Sequence, residues 1–420
     1  MRLNIKINQT INIKNLLFCS LVLISWGLVV GPVVGEFFFN LSIILGYIYC
    51  NKNKIKLNRK YIIILFIYWS YLILSNLYNY YFSDVTPKVI TSFAYIRYIM
   101  FFLFIREIFF RLNYKKIIFY QGLPVLIIAF DVIFQKILGF NLIGMTPSAG
   151  RFSSFFGDEF ISGSFISKLF FPFLIVTSYY YYKKKFVFEI LILLFLISCF
   201  FSGERMAFIS VFLTIPLSII LFKNQRKTLL LFLIITICIA PFVTKNTRFD
   251  EIKNVITQKE DKKTYFQNFK SNIYVILDKS GHLPLFVTSK EIWKDHLLIG
   301  SGINTFGVYC SYDKYKTAEK FKYGNCSTHP HNYYMEILNE TGVIGFVLIF
   351  FFIIFVIIDA IKKIYIINND NYLTKSYLIS ILIFLIVLSS GSFFNNFISI
   401  IFFLNLTLLS SLSSKNFTDK

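Results

Sequence analysis

The feature that most constrains this chain is a succession of apolar runs, each about 16–22 residues long, separated mostly by short basic loops. Inside a bilayer every backbone N–H and C=O must find its partner within the protein, so only helices and closed barrels can cross. The runs are continuous and do not alternate with period two, which selects helices. Composition points the same way. Of 420 residues, 56% are hydrophobic, 52 are Phe and only 15% are charged, too few to cover a soluble body of this length. The sequence therefore predicts an all-α, polytopic membrane protein with about twelve transmembrane helices.

The expected spans run from about Asn15 to Val33, Glu36 to Cys50, Tyr61 to Tyr80, Phe93 to Leu112 and Ile117 to Leu138. A sixth follows Gly163, and the seventh and eighth flank Ser202-Gly203-Glu204-Arg205. The ninth covers about Thr228 to Val243, and the last three about Val343 to Ala360, Tyr377 to Gly391 and Phe397 to Leu412. One long polar segment, Thr244 to Asn339, interrupts the series. Three regions result: spans one to nine in 1–243, a polar loop of short helices in 244–339, and spans ten to twelve in 340–420. The long segment is too short for an independent domain with a large core.

A formal net charge of +21 on a soluble chain would point to nucleic acid. Here the cations fall in short loops after every second span: Lys52, Lys54, Lys56, Arg59 and Lys60, then Lys115 and Lys116, Lys183 to Lys185, Lys223, Arg226 and Lys227, and Lys362 and Lys363. That pattern is the orienting signal of membrane insertion, and no nucleic-acid partner is expected. It puts both termini in the cytoplasm. It puts the 139–163 loop, Arg205 and the whole 244–339 segment on the outer face. Arg2, Lys6 and Lys14 precede the first span with no clean cleavage site after it, so that span reads as uncleaved.

All four histidines, His282, His296, His329 and His331, lie in the outer segment. For His282 and His296 the plain reading holds: polar residues collect where there is water. His331 differs because of its C-terminal neighbours. Asn332 fits a helix N-cap, Tyr333 to Glu340 reads as a helix with Glu336 and Glu340 on one face, and Gly342 ends or kinks it. A histidine at the mouth of the bundle is a candidate general base. Arg97, Arg151 and Arg205 form a second set on the same face. Guanidinium forks suit phosphate oxygens, although Arg97 could instead snorkel to the headgroups and Arg205 could pair with Glu204. Cys310 and Cys326 share the oxidising side, which favours a disulfide. The rival is a metal site built from Cys326, His329 and His331, whose spacing matches no CxxC pair.

The run His331-Asn332-Tyr333-Tyr334, with Glu336, Glu340, Gly342 and Gly345 after it, resembles the His-Asn motif of the O-antigen ligase family. Trp293 to Gly302 with Phe306 is similar to that family's aromatic-to-Gly-x-Gly stretch. Ser202-Gly203-Glu204-Arg205 and Arg151-Phe-Ser-Ser-Phe-Phe-Gly157-Asp158 resemble its two arginine segments. The resemblance implies a GT-C-like bundle with one long periplasmic loop in a bacterial inner membrane. It implies a metal-independent, inverting glycosyltransferase whose donor is a glycan on undecaprenyl pyrophosphate and whose acceptor is the lipid A core or another glycan. His331 would be the general base, and Arg205, with Arg97 and Arg151, would hold the pyrophosphate. Asn332, His329, Glu336 and Glu340 would support them. His329 is a departure from the family pattern.

The chemistry is consistent with the residues. A sugar on a lipid pyrophosphate is already activated, and no Walker or Rossmann glycine pattern is present, so no nucleotide or other cofactor is expected. A histidine, with an unperturbed pKa near about 6.5, suits removal of a hydroxyl proton. The alternatives are an O-antigen or capsular polysaccharide polymerase, a protein O-oligosaccharyltransferase, and a non-catalytic polysaccharide transporter. The last would want charges deep in several spans, where few are visible and Arg97, Arg106 and Asp131 are the main candidates.

Overall fold

The structure is a computed structural model that describes residues 12–148, 151–182, 184–222, 226–243, 282–316, 324–366, 372–387 and 391–414. Arg2 and Lys6, Lys183, Lys223, and residues 244–281 of the long polar segment lie outside the described residues. Every regular element among those described is helical.

In chain order the helices are α1 (Ile13–Val30), α2 (Pro32–Lys52), α3 (Arg59–Phe82), α4 (Val89–Ala94), α5 (Ile96–Ile108), α6 (Tyr114–Leu138), α7 (Ser162–Ile175), α8 (Lys185–Phe201), α9 (Arg205–Leu221), α10 (Arg226–Val243), α11 (Leu283–Asp295), α12 (Phe306–Tyr309), α13 (Tyr333–Ile366), α14 (Tyr372–Ile386) and α15 (Asn396–Ser414). A helix stands at each expected span. Among the described residues, seven helical stretches are long and apolar enough to cross a membrane, and α8, α9 and α14 are shorter apolar helices. The protein is an all-α, polytopic membrane protein.

Local chemistry sets several boundaries. Asn12 and Asn58 cap α1 and α3 by accepting the backbone N–H two residues on. Pro172 interrupts the hydrogen-bond ladder of α7, and the helix continues as a π-helical stretch, Val176–Tyr182. α15 is the central helix. It packs on α5, α13 and α14, and nearly all its residues are buried. A helix apolar on every side belongs inside a bundle. Its polar groups are absorbed locally: Ser413 donates to the Leu409 carbonyl (2.7 Å), and Asn405 to the carbonyls of Ile401 (2.9 Å) and Lys168 (3.3 Å).

Candidate active site

The site is built on the start of α13. Asn332 Oδ1 accepts the N–H groups of Tyr334 (2.9 Å) and Met335 (3.3 Å), and its carbonyl accepts Glu336 N–H (2.9 Å). Two of the helix's orphan donors are thereby satisfied, and Glu336 makes the first intrahelical bond. The residue before the cap, His331, has φ +53°, in the left-handed region. Few non-glycine residues adopt it, and such conformations concentrate where function holds them. The His331 ring is half-buried, with centroids 4.3 Å from His329 and 5.6 Å from His282. The Ser327 hydroxyl lies 3.3 Å from its Nε2.

His282, just before α11, thus joins the cluster although the sequence marks it only as an aqueous-segment residue. Burial lowers its pKa first, followed by the charges of His331 and Arg205. The last effect connects Arg205, the exposed first residue of α9, to the histidines. Arg151 lies at the same hairpin: its side chain packs against Gly203, and its guanidinium sits 5.0 Å over the Phe160 ring. The loop that carries Arg151 is tied to α6. Asp131 accepts from Leu142 N–H (2.8 Å) and from the Ser154 hydroxyl, and Gln135 Oε1 accepts Ser154 N–H (3.0 Å). Asp131 is consumed by that anchoring. Arg97 has different partners. It pairs with Glu36 of α2 and donates to Asn396 Oδ1 (2.7 Å) at the start of α15 and to the Tyr98 hydroxyl (3.2 Å).

The two glutamates, one helical turn apart, are buried anchors. Glu336 accepts Phe393 N–H (2.6 Å) and the Ser392 hydroxyl, fixing the loop that leads into α15. Glu340 accepts Asn304 N–H (2.8 Å). Two residues later α13 breaks at Gly342 (φ 64°, ψ −174°), and the 297–302 stretch fills the break. Val343 and Ile344 donate to the Leu297 and Leu298 carbonyls (3.0 and 3.3 Å), while Ser301 and Gly302 donate to those of Asn339 and Glu340 (2.8 and 3.0 Å). A Cβ at Gly300 would overlap the backbone of Glu340 and Gly342. The Gly-x-Gly stretch therefore has a packing role. α3 clamps its other side: Ser75 donates to the Ile299 carbonyl (2.8 Å), Asn79 to that of Gly300 (3.0 Å), and Asn76 Oδ1 accepts Ile303 N–H (2.8 Å).

Cys310 and Cys326 are joined as a disulfide, with Cα atoms 5.1 Å apart. The Cys326 sulfur is thereby committed, and it cannot serve as a thiolate ligand beside His329 and His331. The bridge tethers the chain one residue before Ser327. Closing a loop with a sequence separation of 16 residues stabilises by about 3 kcal/mol in the chain-entropy account. Cys310→Ser is expected to lower the melting temperature of the purified protein, and reductant to lower the wild type to the same value. Equal melting with and without the bridge would remove its structural role.

Three neighbours of the motif residues are not marked by the sequence. His282 lies far upstream of His331, and Glu36 and Asn396 sit at helix ends distant in sequence from Arg97. The visible hint for the last two was an intramembrane arginine that needs a counter-charge.

No curated protein matches the chain. Residues 190–350 match the family model described as O-Antigen ligase. That stretch runs from within α8 through the break in α13 and holds Arg205, His282, His329 and His331. Residues 190–350 are thus similar to the O-antigen ligase domain, and they lie within an all-α, polytopic membrane protein.

Proposed function

We propose that the protein is an O-antigen ligase: it transfers a glycan from undecaprenyl pyrophosphate to a sugar hydroxyl of the lipid A core, at the periplasmic face of the inner membrane. The observation that carries this reading is the His331 cluster. A half-buried histidine in a left-handed turn beside an Asn-capped helix is joined by His282, whose pKa the Arg205 charge helps to lower.

In the proposed reaction the acceptor oxygen attacks the anomeric carbon as its proton passes to His331. The bond from that carbon to the pyrophosphate oxygen breaks, and the electron pair leaves with undecaprenyl pyrophosphate. A single displacement inverts the anomeric centre and needs no metal ion. Arg205 and Arg151, at one hairpin, stabilise the charge that gathers on the leaving group. Arg97 reaches a phosphate only by exchanging Glu36 for it, so its contribution is to hold α2, α5 and α15 together. Glu336, Glu340 and Asn332 fix the turn. The orientation with both termini cytoplasmic and the division at 243 and 339 belong to the same proposal.

Deletion of the gene tests the reading. The expected result is core-lipid A bearing no O-chain. A core capped with a single repeat would turn the assignment to a polymerase, and an unchanged surface polysaccharide would overturn glycan transfer.

A further inference from the structure

Beside the Glu204–Arg205 turn, α7, α9 and α14 part to leave a cleft whose lining includes the apolar Met206, Phe384 and Val387 and the polar Ser164, Lys168 and Glu204. Lys168 lies inside the apolar helix α7. An ammonium group is costly there and persists where it has something to neutralise. Its Nζ donates to the Ser164 hydroxyl and lies 5.9 Å from the centre of the Phe384 ring.

Glu204 supplies the counter-charge in an unusual way. Its carboxylate accepts the N–H groups of Gly163 (2.6 Å) and Ser164 (3.0 Å), in the first turn of α7. Two N–H groups at a helix start that donate outside the helix, an ammonium on the same helix and Arg151 nearby make an anion site. A carboxylate from the protein occupies it. Burial pushes the Glu204 carboxyl up, against the pull of those N–H groups, Lys168 and Arg151, so its charged form is held less firmly than that of an exposed glutamate.

The cleft also meets the His331 motif from two directions. Glu204 directly precedes Arg205, which acts on His282. The Phe384 ring that borders Lys168 stacks on Tyr333, with centroids 5.1 Å apart and planes at 13°. Tyr333 is the second residue after His331.

We propose that this cleft seats the diphosphate head of the lipid donor, with Lys168 as a phosphate-binding cation, and that Glu204 holds the site until the donor's phosphate displaces it. The inference rests on the glycosyl-transfer reading. Met206, Phe384 and Val387 provide an apolar wall for the first units of the prenyl chain.

Binding of undecaprenyl diphosphate, without a glycan, to the full chain in nanodiscs tests this. Lys168→Met is expected to weaken binding roughly 10-fold or more, the loss of one charge-assisted contact, and Lys168→Arg to stay near wild type. The Lys168→Met/Glu204→Gln double variant separates the roles. If Lys168 serves only to neutralise Glu204, the double variant, which leaves the cleft neutral, binds as wild type does, and the proposal is overturned. If Lys168 binds phosphate, the double variant stays weak. Inorganic pyrophosphate should bind far more weakly than the lipid, and equal affinity would overturn the apolar wall. A Lys168→Met variant that binds as tightly as wild type overturns this site alone. Wild-type protein that binds no lipid diphosphate overturns the glycosyl-transfer reading as well.

Discussion

Replacing His331 by asparagine is expected to cut glycan transfer by about 10²–10⁴-fold, the share a positioned general base contributes, while the protein inserts and melts as wild type does. Asparagine is the informative choice because of the backbone. His331 sits at φ +53°, where alanine is strained and asparagine is tolerated. His331→Asn thus removes the base and keeps the turn, so a lost activity cannot be blamed on a lost cap at Asn332. His329→Ala should cost much less. His329 touches the His331 ring at 4.3 Å, but it lies outside the turn that the Asn332 cap fixes. The measurement is transfer from a defined lipid-diphosphate glycan by purified protein. Activity retained in His331→Asn together with an inactive His329→Ala would move the base to the other histidine.

The range over which each signal acts decides how much of this is legible in the sequence. The spans are readable because a bilayer imposes length and apolarity on each one separately, and a helix lies at every expected position. The Asn332 cap and the break at Gly342 are readable because capping and left-handed backbone are local chemistry. Long-range partners are not. Nothing near Arg97 in sequence announces Glu36 or Asn396, and nothing near His331 announces His282. Glu336 and Glu340 carry their own lesson. Their spacing shows one shared face, yet two acids on one face fit catalysis and anchoring alike. Only the N–H groups of Phe393 and Asn304, from loops brought in by the fold, show that both carboxylates are anchors. Lys168 is visible as a lysine in an apolar run, but its meaning depends on Glu204 meeting the first turn of α7.

The same reasoning gives Gly342 a larger role than a helix breaker. Its φ of 64° and ψ of −174° lie in a region that is essentially confined to glycine and costs other residues about 1–3 kcal/mol. An added Cβ would also overlap the Leu298 carbonyl, which accepts Ile344 N–H across the break. Overpacking of this kind adds about 1–3 kcal/mol more. The neighbouring contact is backbone and cannot rotate away, so relief requires the 297–302 stretch to leave the break. That movement would release Gly302 N–H from the Glu340 carbonyl and pull Asn304 N–H from the Glu340 carboxylate, weakening the donor set around a buried acid. Gly342→Ala is therefore expected to reduce folded protein in the membrane sharply and to lower the melting temperature of what remains. Gly324→Ala is the control, because a Cβ there meets open space. If Gly342→Ala melts with the Gly324→Ala control, the plugged break does not hold the site together. If it melts far below, the turn that presents His331 depends on a backbone contact made well beyond the start of α13.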